Sequence, residues 1–262
     1  MLALEQPSLT HRAGLLDGTP VAALVVLLAA GAVAALALPA EAARHVGLAV
    51  AHGALLGTAV AWTAADASCE RWAPLHAAGL LAAATVSARL VPWGAVAYLV
   101  VPAWLVWRWR PRWRGTLARH GAAALTGGLF GLALGLHLLV NASLTLGYHL
   151  RPGGAGEVLG WIAYDLGANV LTAEAFFRAG LFRRAHRRWS FAAAASLATA
   201  AGVARYLVDP LLPRAFEIAA GATFYLALLG AGNCWLLARS GSLAAPMAAG
   251  LFFFAAYRLL AR

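Results

Sequence analysis

AEAFFRAG, Ala173 to Gly180, sets a carboxylate (Glu174) and a guanidinium (Arg178) inside a long apolar run. Ionisable groups at membrane depth are costly, and they persist where structure or chemistry holds them. Their i, i+4 spacing puts both on one helix face, where they can neutralise each other. A helix carrying them must be enclosed by others, so the stretch predicts a helical bundle.

The surrounding composition fits that reading. Of 262 residues, 62% are hydrophobic and only 11% charged, with a mean hydropathy of +0.74. Soluble domains carry about 25% charged residues, so the chain reads as an integral membrane protein whose first partner is the lipid bilayer. The formal charge is +10, and the basic residues are all arginine. These arginines cluster between apolar runs. That suits topology control and contact with anionic headgroups, and no nucleic-acid partner is expected. Cys69 and Cys234 match no disulfide framework or metal spacing. The first apolar run follows a polar leader without a clear small-residue cleavage site, so it is read as a retained helix.

A membrane span needs about 20 mostly apolar residues. Nine segments approach this: 20–40, 45–63, 74–87, 91–107, 121–147, 158–182, 189–207, 216–237 and 243–260. The third is short and is expected to form a tight or re-entrant hairpin with the fourth, leaving about eight full spans. The fold class is therefore all-α and polytopic, with about 8–9 helices.

RWRPRWRGTLAR (108–119) and FRRAHRR (182–188) carry five and four arginines. They lie two spans apart, so both can face the cytoplasm, with the loops near Pro152 and Pro210 outside. The first run also marks a boundary: 1–107 as accessory or docking helices, 108–119 as a cytoplasmic loop, 120–262 as the core. Helices before it show few buried polar groups. Asn141, Asp165, Asn169, Glu174, Arg178, Arg205 and Asn233 all follow it. Trp104, Trp107, Trp109, Trp113, Trp189 and Trp235 sit near helix ends as interfacial anchors. Gly127, Gly131 and Gly135 form a GxxxG stripe, read as packing within the chain rather than between chains.

AEAFFRAG resembles the EExxFRG signature of the CPBP family, the CAAX-protease and bacteriocin-processing intramembrane endopeptidases. FRAGLFRRAHRRWSFAAAASLATAAGVARY is similar to the span from that signature to the family's FxxxH motif. FYLALLGAGNCWLLARSGSLAAPMAAGLFFF resembles its closing segment, in which a glycine-bearing helix and a TGSL-like turn (here Ser240-Gly241-Ser242-Leu243, with Pro246 after it) lead to HxxxN. The likeness covers about residues 120–262 and implies a CPBP-like transmembrane core.

It also implies a catalytic set that this chain lacks. The first glutamate of the signature, taken as the base that activates water, is Ala173 here. The FxxxH histidine falls at Arg205, with Ala201 for its phenylalanine. The HxxxN positions fall on Gly250 and Phe254. Alanine, glycine and phenylalanine offer no side-chain proton transfer and no oxyanion donor, functions typically worth a few kcal/mol each. Glu174, Arg178 and Gly180 remain.

The resemblance thus implies a homologue that has kept the structural part of the site. Such a chain would be a catalytically inactive membrane subunit holding a protein segment, a lipid or a partner subunit. A second reading is an active endopeptidase with a rearranged site. Glu174 would be its base and His137 its histidine, the latter lying in HLLVN with Asn141 on the same helix face. A third is a small transporter or lipid-handling protein using Asp165, Asn169 and Glu174. Asp165 and Asn169 lie i, i+4, suited to interhelical hydrogen bonds. Arg205 suits snorkelling to headgroups or pairing with Asp209. His11, His45, His52, His76, His120, His149 and His186 show no HExxH spacing, so no metal or other cofactor is expected.

Overall fold

The computed structural model describes residues 14–63, 70–109, 117–207 and 216–261. The chain forms two compact units. Among the described residues, the N-terminal unit takes 14–109 and 155–176, and the C-terminal unit takes 117–154 and 177–261. Cys69, Trp113, Asp209, Pro210 and most of the 108–119 loop lie outside the described residues, as does His11.

The N-terminal unit is built on α1 (Val21–Ala37), α2 (Ala40–Thr63) and α3 (Ala73–Leu90). A tight turn at Trp93 then leads into a 3-10 segment, Gly94–Leu99, and α4, Val100–Trp109. Small residues decide how α2 meets α3. A Cβ on Gly57 would lie 2.2 Å from the Pro74 backbone, and one on Gly53 would lie 2.5 Å from Ala78. Glycine lets the two backbones touch and gain dispersion along their length. The expected hairpin between the third and fourth segments is present, but α3 spans 18 residues.

The C-terminal unit contains α5 (Leu117–Leu146), α7 (Phe191–Leu207), α8 (Phe216–Ser240) and α9 (Ala244–Arg258). A short antiparallel pair joins β1 (His149–Leu150) to β2 (Leu260–Ala261). The GxxxG stripe lies against α9: a Cβ on Gly127 would meet the Ala245 carbonyl at 1.9 Å, and one on Gly131 the Ala249 carbonyl at 2.1 Å. The stripe is used inside the chain.

α6 (residues 155–186) gives residues 155–176 to the N-terminal unit and 177–186 to the C-terminal unit, and its hydrogen-bond register changes along its length. Ala155–Tyr164 is α-helical, Asp165–Asn169 π-helical, Val170–Ala173 α-helical, Glu174–Phe182 π-helical and Arg183–His186 α-helical. Residues 171–182 are all buried except Phe176, which is partly so.

The described residues hold nine helical stretches that correspond one to one with the nine apolar segments of the sequence. Three are long and apolar enough to cross a bilayer: α2, residues 118–146 of α5, and α8. Residues 21–37, 94–108 and 191–207 are shorter apolar helices. The protein is an all-α integral membrane protein.

Candidate functional site

In the N-terminal unit, the polar residues of α6 form a buried strip. Asn169 donates from Nδ2 to Asp165 Oδ1 at 3.0 Å. The expected i, i+4 neighbours thus bond to each other along one helix. One turn on, the Thr172 hydroxyl donates to the Ala168 carbonyl at 2.6 Å. That bond uses the hydroxyl's one proton, so towards His52 Nδ1, 2.9 Å away, Thr172 accepts. In a neutral ring the proton then sits on Nδ1. Nε2, 3.3 Å from the Tyr164 hydroxyl, accepts. The Tyr164 ring meets Tyr98 edge to face at 5.2 Å, and the Tyr98 hydroxyl is 2.9 Å from Thr85 Oγ1. Glu174, only 4% exposed, closes the strip and opens the longer π-helical segment. π-Bulges in α-helices gather at functional sites, and both π segments here begin at a buried acid.

His52 corrects the expectation that the early helices carry few buried polar groups. It is 2% exposed, and Thr58 on the same helix is buried too. The sequence sets His52 aside because it has no metal spacing. Its partners lie 112 and 120 residues away, a separation no local motif encodes. The available signal was a histidine directly before the packing glycine Gly53, in the apolar part of α2.

In the C-terminal unit, Arg178 is 5% exposed and lies between α7 and α8. Two glycines make room for its guanidinium. A Cβ on Gly230 would come within 2.9 Å of Nη2, and one on Gly202 within 3.3 Å of Nη1. The guanidinium also lies 6.0 Å from the Phe177 ring centroid, within range of a cation–π contact. Three residues beyond Gly230, the fully buried Asn233 donates to the Pro246 carbonyl of α9 at 3.4 Å.

His137 and Asn141 meet Tyr225 of α8. His137 Nδ1 lies 2.8 Å from the tyrosine hydroxyl, and Asn141 Nδ2 donates to it at 3.2 Å. These bonds fasten α5 to α8.

Arg205 and Phe254, distant in sequence, come together through Tyr206. The Arg205 guanidinium lies 4.3 Å from the Tyr206 ring centroid. That ring stacks on Phe254, with centroids 5.4 Å apart and planes 29° from parallel. Phe254 packs edge to face on Phe253 and Tyr257. Gly250, one turn earlier on α9, is buried. The positions that the sequence resemblance assigns to the second and third motifs, Arg205 and Phe254, are therefore joined in one cation–aromatic stack through Tyr206. Tyr206 is the member of this cluster that sequence reasoning left without a role.

Among the described residues, no group of three or more His, Cys, Asp or Glu could hold a metal ion.

Residues 155–253 match the family described as Type II CAAX prenyl endopeptidase Rce1-like. The matched segment starts at the first residue of α6 and ends within α9. It includes Glu174, Arg178, Arg205 and Gly250 and stops just before Phe254. No curated protein and no solved structure matches the chain. The likeness to this family is carried by this segment, which spans less than half of the chain.

Proposed function

We propose that this Rce1-like chain is a non-catalytic member of its family that binds a membrane-embedded segment, a lipid or a partner subunit. The observation that carries the reading is the Arg205–Tyr206–Phe254 stack. Where the family motifs place a histidine and an asparagine, this chain has a guanidinium on a tyrosine and a phenylalanine beneath it. Phenylalanine cannot donate to an oxyanion, and Ala173 cannot accept a proton from water. The buried charges that remain, Glu174 and Arg178, act in this reading as fixed points of the bundle. The chain would lie in a bacterial cytoplasmic membrane with its arginine-rich loops inside, as the charge bias of those loops supports.

One observation favours the alternative, an active enzyme with a rearranged glutamate-based site. The π-helical segment opens at Glu174, a geometry common at functional sites. The two readings predict opposite signs for one substitution. A buried charge that supports the fold costs about 3–5 kcal/mol when its balance is broken. A catalytic carboxylate commonly compromises stability, and removing it is neutral or stabilising. Glu174→Ala, unfolded thermally in lipid beside the wild type, should melt clearly lower. An unchanged or raised Tm would count against the structural role.

A further inference from the structure

α5 packs its glycine stripe against α9 and turns another face outward. His137, Val140, Asn141 and Leu144 share that face, at i, i+3, i+4 and i+7. All four are exposed, Val140 at 59% and Leu144 at 81%. Exposed valine and leucine are ordinary on a helix that meets lipid; exposed histidine and asparagine are not. The 118–146 span has 29 residues, roughly 43 Å against a hydrocarbon core of about 30 Å, so a centred helix leaves roughly four residues outside the core at each end. His137 and Asn141 lie nine and five residues before Leu146, which puts both at the depth of the acyl chains.

Part of their hydrogen bonding is met within the C-terminal unit. Asn141 gives one Nδ2 proton to the Tyr225 hydroxyl, and His137 Nδ1 lies 2.8 Å from the same oxygen. Tyr225 is buried, at 3% exposed, so both side chains are held from inside. The rest is unmet. Among the described residues, His137 Nε2 makes no hydrogen bond, and neither do Asn141 Oδ1 and the second Nδ2 proton. Acyl chains offer such atoms no partner, so a face that carries them favours association with a helix that can.

Their chemistry sets what that helix must offer. Asn141 presents an acceptor and a donor side by side, and a second Asn141 at the same depth offers the matching pair. Copies of one chain share one orientation, because the same arginine-rich loops orient each of them. A symmetric pair then has its axis along the membrane normal, and each residue meets its own copy at its own depth. His137 Nε2 is a donor or an acceptor according to tautomer, and the amide of Asn141 in the second copy, one turn along, can answer either. We infer that this face of α5 is a homodimer interface, with a second copy of the chain covering His137, Val140, Asn141 and Leu144. The glycine stripe takes no part, because α9 occupies it. The interface stands whether or not the chain cleaves peptides.

The test uses the full chain, one population labelled at the N-terminus with a fluorescence donor and another with an acceptor, reconstituted together in phosphatidylcholine vesicles. Energy transfer would be followed as lipid is added, and it should fall along a monomer–dimer curve. Asn141→Leu should weaken the dimer roughly three- to tenfold, and Asn141→Gln, which keeps donor and acceptor, should recover most of the loss. Because Asn141 also ties α5 to α8, the contact is mapped separately in chains that keep it. With Cys69→Ser and Cys234→Ala as background, Val140→Cys and Leu144→Cys should cross-link between copies on oxidation at least tenfold faster than Leu132→Cys. Leu132 is also exposed, at 40%, but lies roughly 80–120° round the helix from those two positions. Energy transfer no greater than for a monomeric membrane protein at equal dilution, a dimer that Asn141→Leu leaves unchanged, or equally fast cross-linking at Leu132→Cys would each overturn the interface.

Discussion

Arg178 can be buried because two positions facing it have no side chain. At Gly230 an added methyl would lie 2.9 Å from Arg178 Nη2 and 2.9 Å from Thr199 Cγ2. At Gly202 the nearest atom is 3.3 Å away. Overpacking a tight core typically costs about 1–3 kcal/mol. Gly230→Ala should therefore fall in that range and Gly202→Ala below it, read as the difference in thermal midpoint between the two variants in one lipid mixture. Equal losses would mean that the guanidinium is not seated between these helices. The need for Arg178 to be enclosed was legible, because a charge in an apolar run requires it. The glycines that enclose it were not, because they lie 24 and 52 residues further on and carry no local mark. The same holds for His52 and Tyr225, whose partners are set by tertiary packing. Tyr206 sits beside a residue the sequence singles out, yet its stack on Phe254 appears only when α7 meets α9.

At the scale of elements, hydrophobic length gave good helix positions, because spanning a bilayer imposes one period and a minimum length. The break between α3 and α4 and the start of α8 fall where the apolar runs are interrupted. The register of α6 was beyond the same reasoning. Apolar periodicity cannot distinguish i→i+4 from i→i+5 bonding over a few residues, and here the bonding switches four times along one helix. That the small-residue stripe of α5 packs within the chain was legible; that its partner is α9 was not. The contact makes a sharp prediction, because the closest atoms are backbone carbonyls rather than flexible side chains. Gly131→Leu would drive its side chain into the Ala249 carbonyl, already 2.1 Å from an ideal Cβ. The helices would have to separate. The variant should show a loss of several degrees in thermal midpoint or fail to accumulate in the membrane. Normal yield and stability in the variant would mean that the stripe faces lipid rather than α9.

For the whole molecule, composition made the membrane class plain, while the division into compact units is subtler than charge alone indicates. Arginine runs draw a line near residues 108–119. The compact units also divide α6, whose residues 155–176 pack with the early helices and whose later residues pack with the last ones. The segment matched to the Rce1-like family, 155–253, begins with that shared helix. The sequence resemblance reads the candidate site as a set of departures, with Ala173, Arg205, Gly250 and Phe254 at the positions it assigns to catalytic groups. The sequence could not show what fills the space, and the structure supplies an aromatic stack topped by a guanidinium.

Loss of catalysis with retention of the bundle is the central claim, and a cleavage assay tests it most directly. Purified protein in lipid would be incubated with a library of membrane-anchored and prenylated peptides, beside a Glu174→Gln control, and the products read by mass spectrometry. The account predicts no cleavage by folded wild-type protein beyond the control. Cleavage by the wild type that disappears in Glu174→Gln would contradict it and assign Glu174 to a rebuilt active site.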